Sequence, residues 1–348
     1  MFFYNKYVAY FLFYGKIREK KKEKEIYMNK IVKTTIGAAG CVLGGIGIGY
    51  GLCVLTDELL FNRRFELPTQ INYRIGGCDT SHLGDYLKNN IEWLEEYGYE
   101  RHYIRSDRDE KLAGVLFRPE KKSDIYIFCA HGYRSYGMKE FNGVIRFYLE
   151  RGYNVFLPDH VASGESEGTH CTFGHYETED CFKWLDYLKL YYGNDITIVL
   201  HGVSMGCATV TMMNGRDELP ENVKGVIADC GFTSATDLFS YKLETFGIKK
   251  SDPLIDAINY VNKKNHDFDF NTLRPIDSVK NAKTPMFFIH GKADNLIPSF
   301  MAEELYEACA AEKKELLIVE GADHAQSCMI GADEYITRLG NFLDEILL

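Results

Sequence analysis

Short apolar runs alternate with amphipathic stretches over most of this chain, and the alternation predicts strands that are each followed by a helix. Nearly continuous apolar runs, as in strands buried on both faces of a sheet, occur at 125–130, 153–157, 196–200, 223–228, 285–289 and 315–319. Helical patterns follow several of them, at 176–192, 301–311 and 333–347. This order predicts a mainly parallel sheet with helices on both faces.

Two further patterns precede these runs. Residues 101–106 and 111–117 predict two strands around the polar turn at 107–110, which is a hairpin signal. Residues 86–97 have apolar side chains at helical spacing and predict an amphipathic helix. We therefore assign 57–94 to a linker and this helix. Residues 95–348 form one α/β domain, with an insertion of helical character at about 234–284.

The segment at 34–56 contains no charged side chain. As a helix it would be about 34 Å long, enough to cross a hydrocarbon core of about 30 Å, and we predict a transmembrane helix. Gly40 and Gly44 have the small-xxx-small spacing that permits helix pairing. A cleaved signal peptide fits less well, because no small-x-small site closes the segment.

Charge is distributed unevenly along the chain. Residues 1–56 contain nine lysine and arginine residues against three glutamates, a balance of +6 that comes from the basic arm at 1–33. The net charge is −10, so the remainder carries −16, which argues against nucleic acid as a partner. Two start sites are compatible with this arm, Met1 and Met28, and a short basic leader follows Met28.

The basic arm also bears on localisation. By the positive-inside rule the arm lies in the cytoplasm and the large domain outside it. Ten cysteines favour the cytoplasmic side as the alternative, because exported proteins usually avoid free thiols. Their spacing contains neither a Cys-x-x-Cys pair nor a Cys/His metal cluster, and we expect no metal and no organic cofactor.

The run at 196–200 leads into Gly202-Val203-Ser204-Met205-Gly206 and then into small and apolar residues suited to a helix. This is the strand, turn and helix context of a nucleophile elbow. Ser204 would sit in a sharp turn with strained backbone angles. Gly202 and Gly206 would remove side chains that otherwise collide as strand and helix close on each other.

A serine hydroxyl becomes a nucleophile only when a base takes its proton, and the base needs an orienting acid. In sheets of this kind the acid and then the histidine follow the serine along the chain. Asp294 follows the run at 285–289, and His324 follows the run at 315–319. Both therefore lie beyond the carboxyl ends of strands, where open α/β sheets bind ligands. We predict a triad of Ser204, His324 and Asp294.

Two other carboxylates compete for the role of the acid. Asp229 ends the run at 223–228 and is the alternative to Asp294. Asp323 adjoins His324, but neighbouring loop side chains normally point apart, so we predict a turn residue there. The oxyanion hole would use the backbone N–H groups of Tyr133, after the third strand, and of Met205, at the N-terminus of the elbow helix.

The chain resembles the α/β-hydrolase-fold serine hydrolases, specifically the bacterial group related to serine aminopeptidases and acyl esterases that often has an N-terminal membrane segment. The resemblance covers about 95–348, and the segments that carry it are 131–133, 158–159, 164–168, 202–206, 229–234, 290–294 and 321–324. It implies a small cap over the serine at about 234–284. Five large apolar side chains of this cap either line an acyl pocket or pack the cap onto the sheet, namely Phe239, Tyr241, Phe246, Ile255 and Tyr260.

These observations predict a membrane-anchored serine hydrolase that acts on a small-molecule acyl substrate. A carboxylic ester is the expected substrate, with a thioester or a short peptide as alternatives. A different class of function is also open: a hydrolase fold that has lost catalysis and serves as a binding module anchored at a membrane. The complete triad pattern argues against it, because a retired enzyme is free to lose one of its members.

Overall fold

The computed structural model describes residues 46–63, 84–249 and 252–347. A sheet of eight strands lies at the centre. The strands are β1 (Glu100–Arg105), β2 (Lys111–Phe117), β3 (Ile125–Ala130), β4 (Asn154–Pro158), β5 (Thr197–Val203), β6 (Val223–Asp229), β7 (Met286–Gly291) and β8 (Lys314–Val319).

The helices lie between and around these strands. They are α1 (Ile46–Phe61), α2 (Gly84–Tyr97), α3 (Gly137–Phe141), α4 (Ile145–Glu150), α5 (His175–Tyr192), α6 (Met205–Asn214), α7 (Ala235–Thr245), α8 (Asp252–His266), α9 (Pro275–Ser278), α10 (Phe300–Ala308), α11 (Ser327–Ile330) and α12 (Ala332–Leu347). Short 3-10 turns occur at Phe270–Thr272 and Val279–Asn281.

The strand order is β1-β2-β4-β3-β5-β6-β7-β8. The first two strands form the predicted antiparallel hairpin, and β2 pairs antiparallel with β4. From β4 to β8 every pair is parallel. The carboxyl ends of the parallel strands therefore meet at one edge of the sheet, which is where such sheets bind ligands.

The alternating side chains of the parallel strands explain why their sequences are apolar throughout. In β3, Ile127 and Cys129 face one apolar cluster, whereas Tyr126 and Phe128 face the other. The first cluster packs under α3, α4 and α12, and the second packs under α5, α6 and α10. Both faces are thus covered by helices, as the continuous apolar runs predicted.

The insertion between β6 and β7 forms a helical cap. Its helices α7 and α8 contribute Leu238, Ile258 and Val261 to a third apolar cluster, which also contains Met205 at the start of α6. Of the five apolar cap residues predicted to line a pocket or to pack the cap, Ile255 is buried, and Phe239 and Tyr241 are half-buried against this cluster. Phe246 and Tyr260 are exposed. The buried part of the cap therefore packs onto the domain beside the elbow.

Helix α1 belongs to the same body. Cys53 and Phe61 are buried in the third cluster, and the Phe61 ring lies 5.2 Å from that of Phe270. The helix continues to Phe61, past the end that we predicted for the membrane segment at Thr56. Most of that segment, including Gly40 and Gly44, lies outside the described residues, as do Met1 and Met28. Among the described helices, none combines the length and apolar character needed to span a bilayer.

Candidate active site

Ser204 occupies the turn between β5 and α6, with φ 58° and ψ −117°. Residues other than glycine rarely adopt such angles, so the surrounding structure must hold Ser204 in this conformation. The two glycines that flank Ser204 show how the structure holds these angles. A Cβ atom at Gly202 would lie 2.1 Å from the carbonyl oxygen of Gly206, and a Cβ atom at Gly206 would lie 1.9 Å from that of Ala130. The elbow closes only because these positions have no side chain.

The structure brings Ser204, His324 and Asp294 together at the carboxyl edge of the sheet. The Ser204 hydroxyl donates to Nε2 of His324 over 2.9 Å. Nδ1–H of His324 donates to Oδ2 of Asp294 over 2.7 Å. A proton leaving the serine would therefore reach an imidazole whose other nitrogen is already held by a carboxylate.

Asp294 is fixed by three groups besides His324, two from its own loop and one from the end of β7. Its Oδ1 accepts the backbone N–H groups of Leu296 and Ile297, each over 2.8 Å. Nε2 of His290 lies 3.1 Å from its Oδ2. Burial raises the pKa of Asp294, but the charge of His324 and the hydrogen bonds from His290 and His324 together lower it well below its usual range. Asp294 is therefore ionised at neutral pH.

The environment of His324 suits a base. Burial lowers its pKa, but the Asp294 carboxylate raises it by more, so that the net pKa lies above the ordinary value of 6.5. Asp323 has a different role, because its Oδ1 accepts the backbone N–H groups of His324 over 2.8 Å and of Asn295 over 3.0 Å. It links the two loops that carry the histidine and the acid, as expected of a turn residue.

Asp229, the alternative acid, points elsewhere. Its backbone carbonyl accepts the N–H of Ser204 over 2.9 Å. Its Oδ2 accepts the hydroxyl of Tyr335 over 3.1 Å, and its buried Oδ1 has no hydrogen-bond partner among the described residues. Burial raises the pKa of Asp229 to about 7. Of the two candidates, Asp294 is the one hydrogen-bonded to His324.

The loop after β3 carries the predicted oxyanion donor Tyr133. Nδ1–H of His131 donates to the carbonyl of Gly132 over 2.7 Å, and its Nε2 accepts the N–H of His160 over 3.0 Å. These two bonds fix the position of the loop. A Cβ atom at Gly132 would lie 3.1 Å from Cβ of Ser204, so the loop runs directly beside the elbow. The backbone N–H of Tyr133 donates to no acceptor among the described residues.

Helix α1 holds this loop from the other side. The Tyr133 hydroxyl donates to the carbonyl of Leu60, and Nη2 of Arg134 donates to the carbonyl of Leu59 over 2.6 Å. Helix C-termini leave such carbonyls without partners inside the helix. The last carbonyls of α1 therefore find their hydrogen-bond donors in the loop at 131–134, hereafter the oxyanion loop.

Two neighbours of the triad are not predicted from the sequence. His290 belongs to the motif at 290–294, and its position four residues before Asp294 is a signal that points to it. Tyr335 lies far along the chain in α12, and its hydroxyl is within 3.4 Å of Nε2 of His201 as well as bonded to Asp229. No local pattern in the sequence points to that network, because three separate elements form it.

Comparison with known proteins agrees with this architecture. A family model described as the alpha/beta hydrolase fold matches residues 127–246. The protein YqkD of Bacillus subtilis (strain 168) is 29% identical over 327 residues, which cover 92% of this chain and 98% of that protein. YfhR of Escherichia coli (strain K12) is 28% identical over 50% of this chain and 54% of its own length.

Solved structures show the same fold. An esterase of Pyrococcus furiosus superposes with a TM-score of 0.57 at 23% identity, covering 72% of this chain and 92% of that one. Est1E from Butyrivibrio proteoclasticus, solved with ferulic acid bound, gives a TM-score of 0.56 at 17% identity, covering 71% and 99%. The chain has the α/β-hydrolase fold, and this prediction from the sequence is confirmed.

Proposed function

We propose that the protein is a serine hydrolase that cleaves a carboxylic ester through an acyl-enzyme on Ser204. The observation that carries the proposal is the unbroken hydrogen-bond chain from the Ser204 hydroxyl through His324 to Asp294. Serine, imidazole and carboxylate in this order are the arrangement that activates a hydroxyl at neutral pH. The esterases among the structures of the same fold agree with it.

The reaction would proceed in two halves. Ser204 Oγ attacks the carbonyl carbon while His324 Nε2 takes its proton, and Asp294 stabilises the imidazolium. The N–H groups of Tyr133 and Met205 stabilise the oxyanion, and His324 then returns the proton to the leaving alcohol. Water attacks the acyl-enzyme in the same way and releases the acid. A thioester or a short peptide fits the same steps, so the leaving group is to be determined by substrate profiling.

The test compares the purified protein with its Ser204→Ala variant on p-nitrophenyl acyl esters. We expect a loss of turnover of at least about 10³-fold with an unchanged circular dichroism spectrum, because no other group can form the acyl-enzyme. Ser123→Ala is the matched control, since Ser123 precedes β3 at the opposite edge of the sheet. Undiminished activity in pure Ser204→Ala protein would refute the proposal.

The alternative, a binding module without catalysis, is separated by a fluorophosphonate probe. Such a probe reacts only with an activated serine, so labelling of Ser204 supports the hydrolase and absence of labelling supports the binding module.

We also propose that the uncharged segment predicted at 34–56 anchors the protein in a membrane through its part before Cys53, with the catalytic domain outside the cytoplasm. The uncharged segment and the basic arm before it support this. Because Cys53 packs on the domain, the membrane-spanning part would end before it and the domain would lie close to the bilayer. Protease accessibility of the domain in intact cells distinguishes the outer from the cytoplasmic side.

A further inference from the structure

Four ionisable side chains from three separate segments meet on the side of the cap where α1 ends. Asp57 and Glu58 lie on α1, His170 lies in the loop between β4 and α5, and His266 is the last residue of α8. One ligand atom each from Glu58, His170 and His266 lie within 4.8 Å of one another. The rings of His170 and His266 are 4.1 Å apart between centroids.

Two polar atoms in this cluster lack the hydrogen-bond partners that buried polar groups normally have. Asp57 is 0% exposed, and although its Oδ2 is 2.7 Å from Nε2 of His266, its Oδ1 has no hydrogen-bond partner in the described chain. Nε2 of His170 is likewise buried without a hydrogen bond among the described residues, with Oε2 of Glu58 3.5 Å away. A buried carboxylate with a free oxygen is costly unless a positive charge compensates it.

Neighbouring groups orient these side chains as outer partners orient metal ligands. The Thr169 hydroxyl is 2.8 Å from Nδ1 of His170, which leaves Nε2 as the free nitrogen. Asn62 donates to Oε2 of Glu58 over 2.7 Å. Metal-binding histidines almost always have such a partner on the nitrogen that does not bind the ion.

We propose that His170, His266, Glu58 and Asp57 bind a divalent transition-metal ion, with Zn²⁺ the best match. Two imidazole nitrogens and two carboxylates suit tetrahedral zinc, whereas Mg²⁺ and Ca²⁺ prefer all-oxygen sites. Ligand atoms around tetrahedral zinc lie about 3.3 Å from one another. The atoms of Glu58, His170 and His266, which lie within 4.8 Å of one another, would have to move closer together, and Asp57 would exchange its hydrogen bond with His266 for the ion. The charge of the ion would neutralise both carboxylates, including the uncompensated oxygen of Asp57.

The ion would have a structural role distinct from ester hydrolysis. Its ligands come from α1, from the loop before α5 and from the end of the cap helix α8, so it would fasten these three segments together. Phe61 lies a few residues after Asp57 and packs against cap residues Phe268 and Phe270. The site therefore reinforces the contact by which α1 holds both the cap and the oxyanion loop.

The experiment uses the full-length protein after treatment with a chelator. Isothermal titration with Zn²⁺ should show one saturable site, and zinc should raise the melting temperature, because an ion that binds only the folded state stabilises it. Mg²⁺ at the same concentration should do neither. Binding of Co²⁺ should give d–d absorption without the charge-transfer band of a cobalt–thiolate bond.

Substitutions assign the site. His170→Gln and His266→Gln should each weaken zinc binding at least about 10-fold and remove most of the thermal shift. His175→Gln is the matched control, because its ring stacks on Phe268 beside the cluster but outside it, and binding should be unchanged. Absence of saturable binding, a thiolate band with Co²⁺, or full binding in the His170→Gln/His266→Gln double variant would overturn the proposal. The cobalt spectrum of the unmodified protein decides the matter even if a variant fails to fold.

Discussion

The two aspartates that compete for the catalytic acid show how position within the fold, and not residue type, decides the state of a side chain. Asp294 accepts two backbone N–H groups. Burial raises its pKa, but the charge of His324 and the hydrogen bonds from His290 and His324 together lower it. Asp229 has one tyrosine hydroxyl and a free buried oxygen, and burial raises its pKa to about 7. Asp294 therefore holds a negative charge at neutral pH, whereas Asp229 is about as easily protonated as ionised near pH 7.

This contrast predicts different outcomes for the same substitution at the two positions. Asp294→Asn should lower kcat by about 10⁴-fold, because the amide presents a donor where His324 needs an acceptor. Asp229→Asn should change kcat by less than about 10-fold, because a neutral side chain of the same shape already exists there near pH 7. Steady-state kinetics on both variants measures this. A larger loss at Asp229 than at Asp294 would reverse the assignment of the acid.

The pH dependence of the reaction follows from His324, which must be neutral to accept the serine proton. Its pKa lies above 6.5 because of Asp294. Activity should therefore rise with pH through an apparent pKa above 6.5 in kcat/KM and fall below it. In Asp229→Asn this limb should move to lower pH, because the charge of Asp229 also raises the pKa of His324. An acid limb below 6.5 in the unmodified protein would contradict the assignment.

At the residue scale the sequence was informative because each predicted group follows its own apolar strand. Ser204, Asp294 and His324 could be located by counting strands, since parallel strands end at one edge. His290 could also have been identified, from its position four residues before Asp294. Tyr335 could not, because its partners His201 and Asp229 lie on two other elements. The choice between Asp294 and Asp229 likewise required the geometry of both loops.

At the scale of elements, the elbow depends on how closely α6 approaches β3. Strand β5 runs to Val203, beyond the apolar run that ends at Leu200, because His201 and Gly202 pair with Cys129 and Ala130. The helix then starts at once and packs on the neighbouring strand end. Pairing between strands extended β5 where local apolar character had ended.

Gly206→Ala should therefore destabilise the protein by about 3 kcal/mol or more, because the new methyl group would overlap the carbonyl of Ala130. Gly51→Ala is the control, since a Cβ there meets nothing within 4 Å on an exposed helix position and should be neutral or stabilising by up to about 1 kcal/mol. Chemical denaturation of both variants measures the difference. Equal stability would mean that the backbone can move apart at the elbow.

At the scale of the whole molecule, the packing of α1 on the domain is the feature that the sequence pattern predicts least. Charge and hydropathy predict a membrane segment at 34–56, and nothing in them indicates that residues near its end pack on the cap. The cluster of Asp57, Glu58, His170 and His266 is not predicted from the sequence either. Its members are spread over three segments, so no metal-binding spacing exists in the sequence.

The docking of α1 links the N-terminal segment to the loop that carries the predicted oxyanion donor Tyr133. Its last carbonyls accept hydrogen bonds from Tyr133 and Arg134, the residues that follow Gly132 in the oxyanion loop. Arg134 has φ 55°, an angle that a residue other than glycine adopts only when its surroundings hold it. Without α1, the loop would lose both of these hydrogen bonds.

A variant that begins at Gly84 should therefore fold less stably and turn over more slowly than one that begins at Ile46. Removal of Phe61 uncovers Phe173, Phe268 and Phe270, a loss comparable to about 3–5 kcal/mol for a buried phenylalanine. Loosening of the Tyr133 loop weakens one oxyanion donor, which typically costs about 10²-fold or more in kcat. Thermal unfolding and kcat measured on both variants separate the two effects. If the shorter protein keeps the melting temperature and kcat of the longer one, then α1 is a passive tether, and the oxyanion loop is held by His131 and the elbow alone.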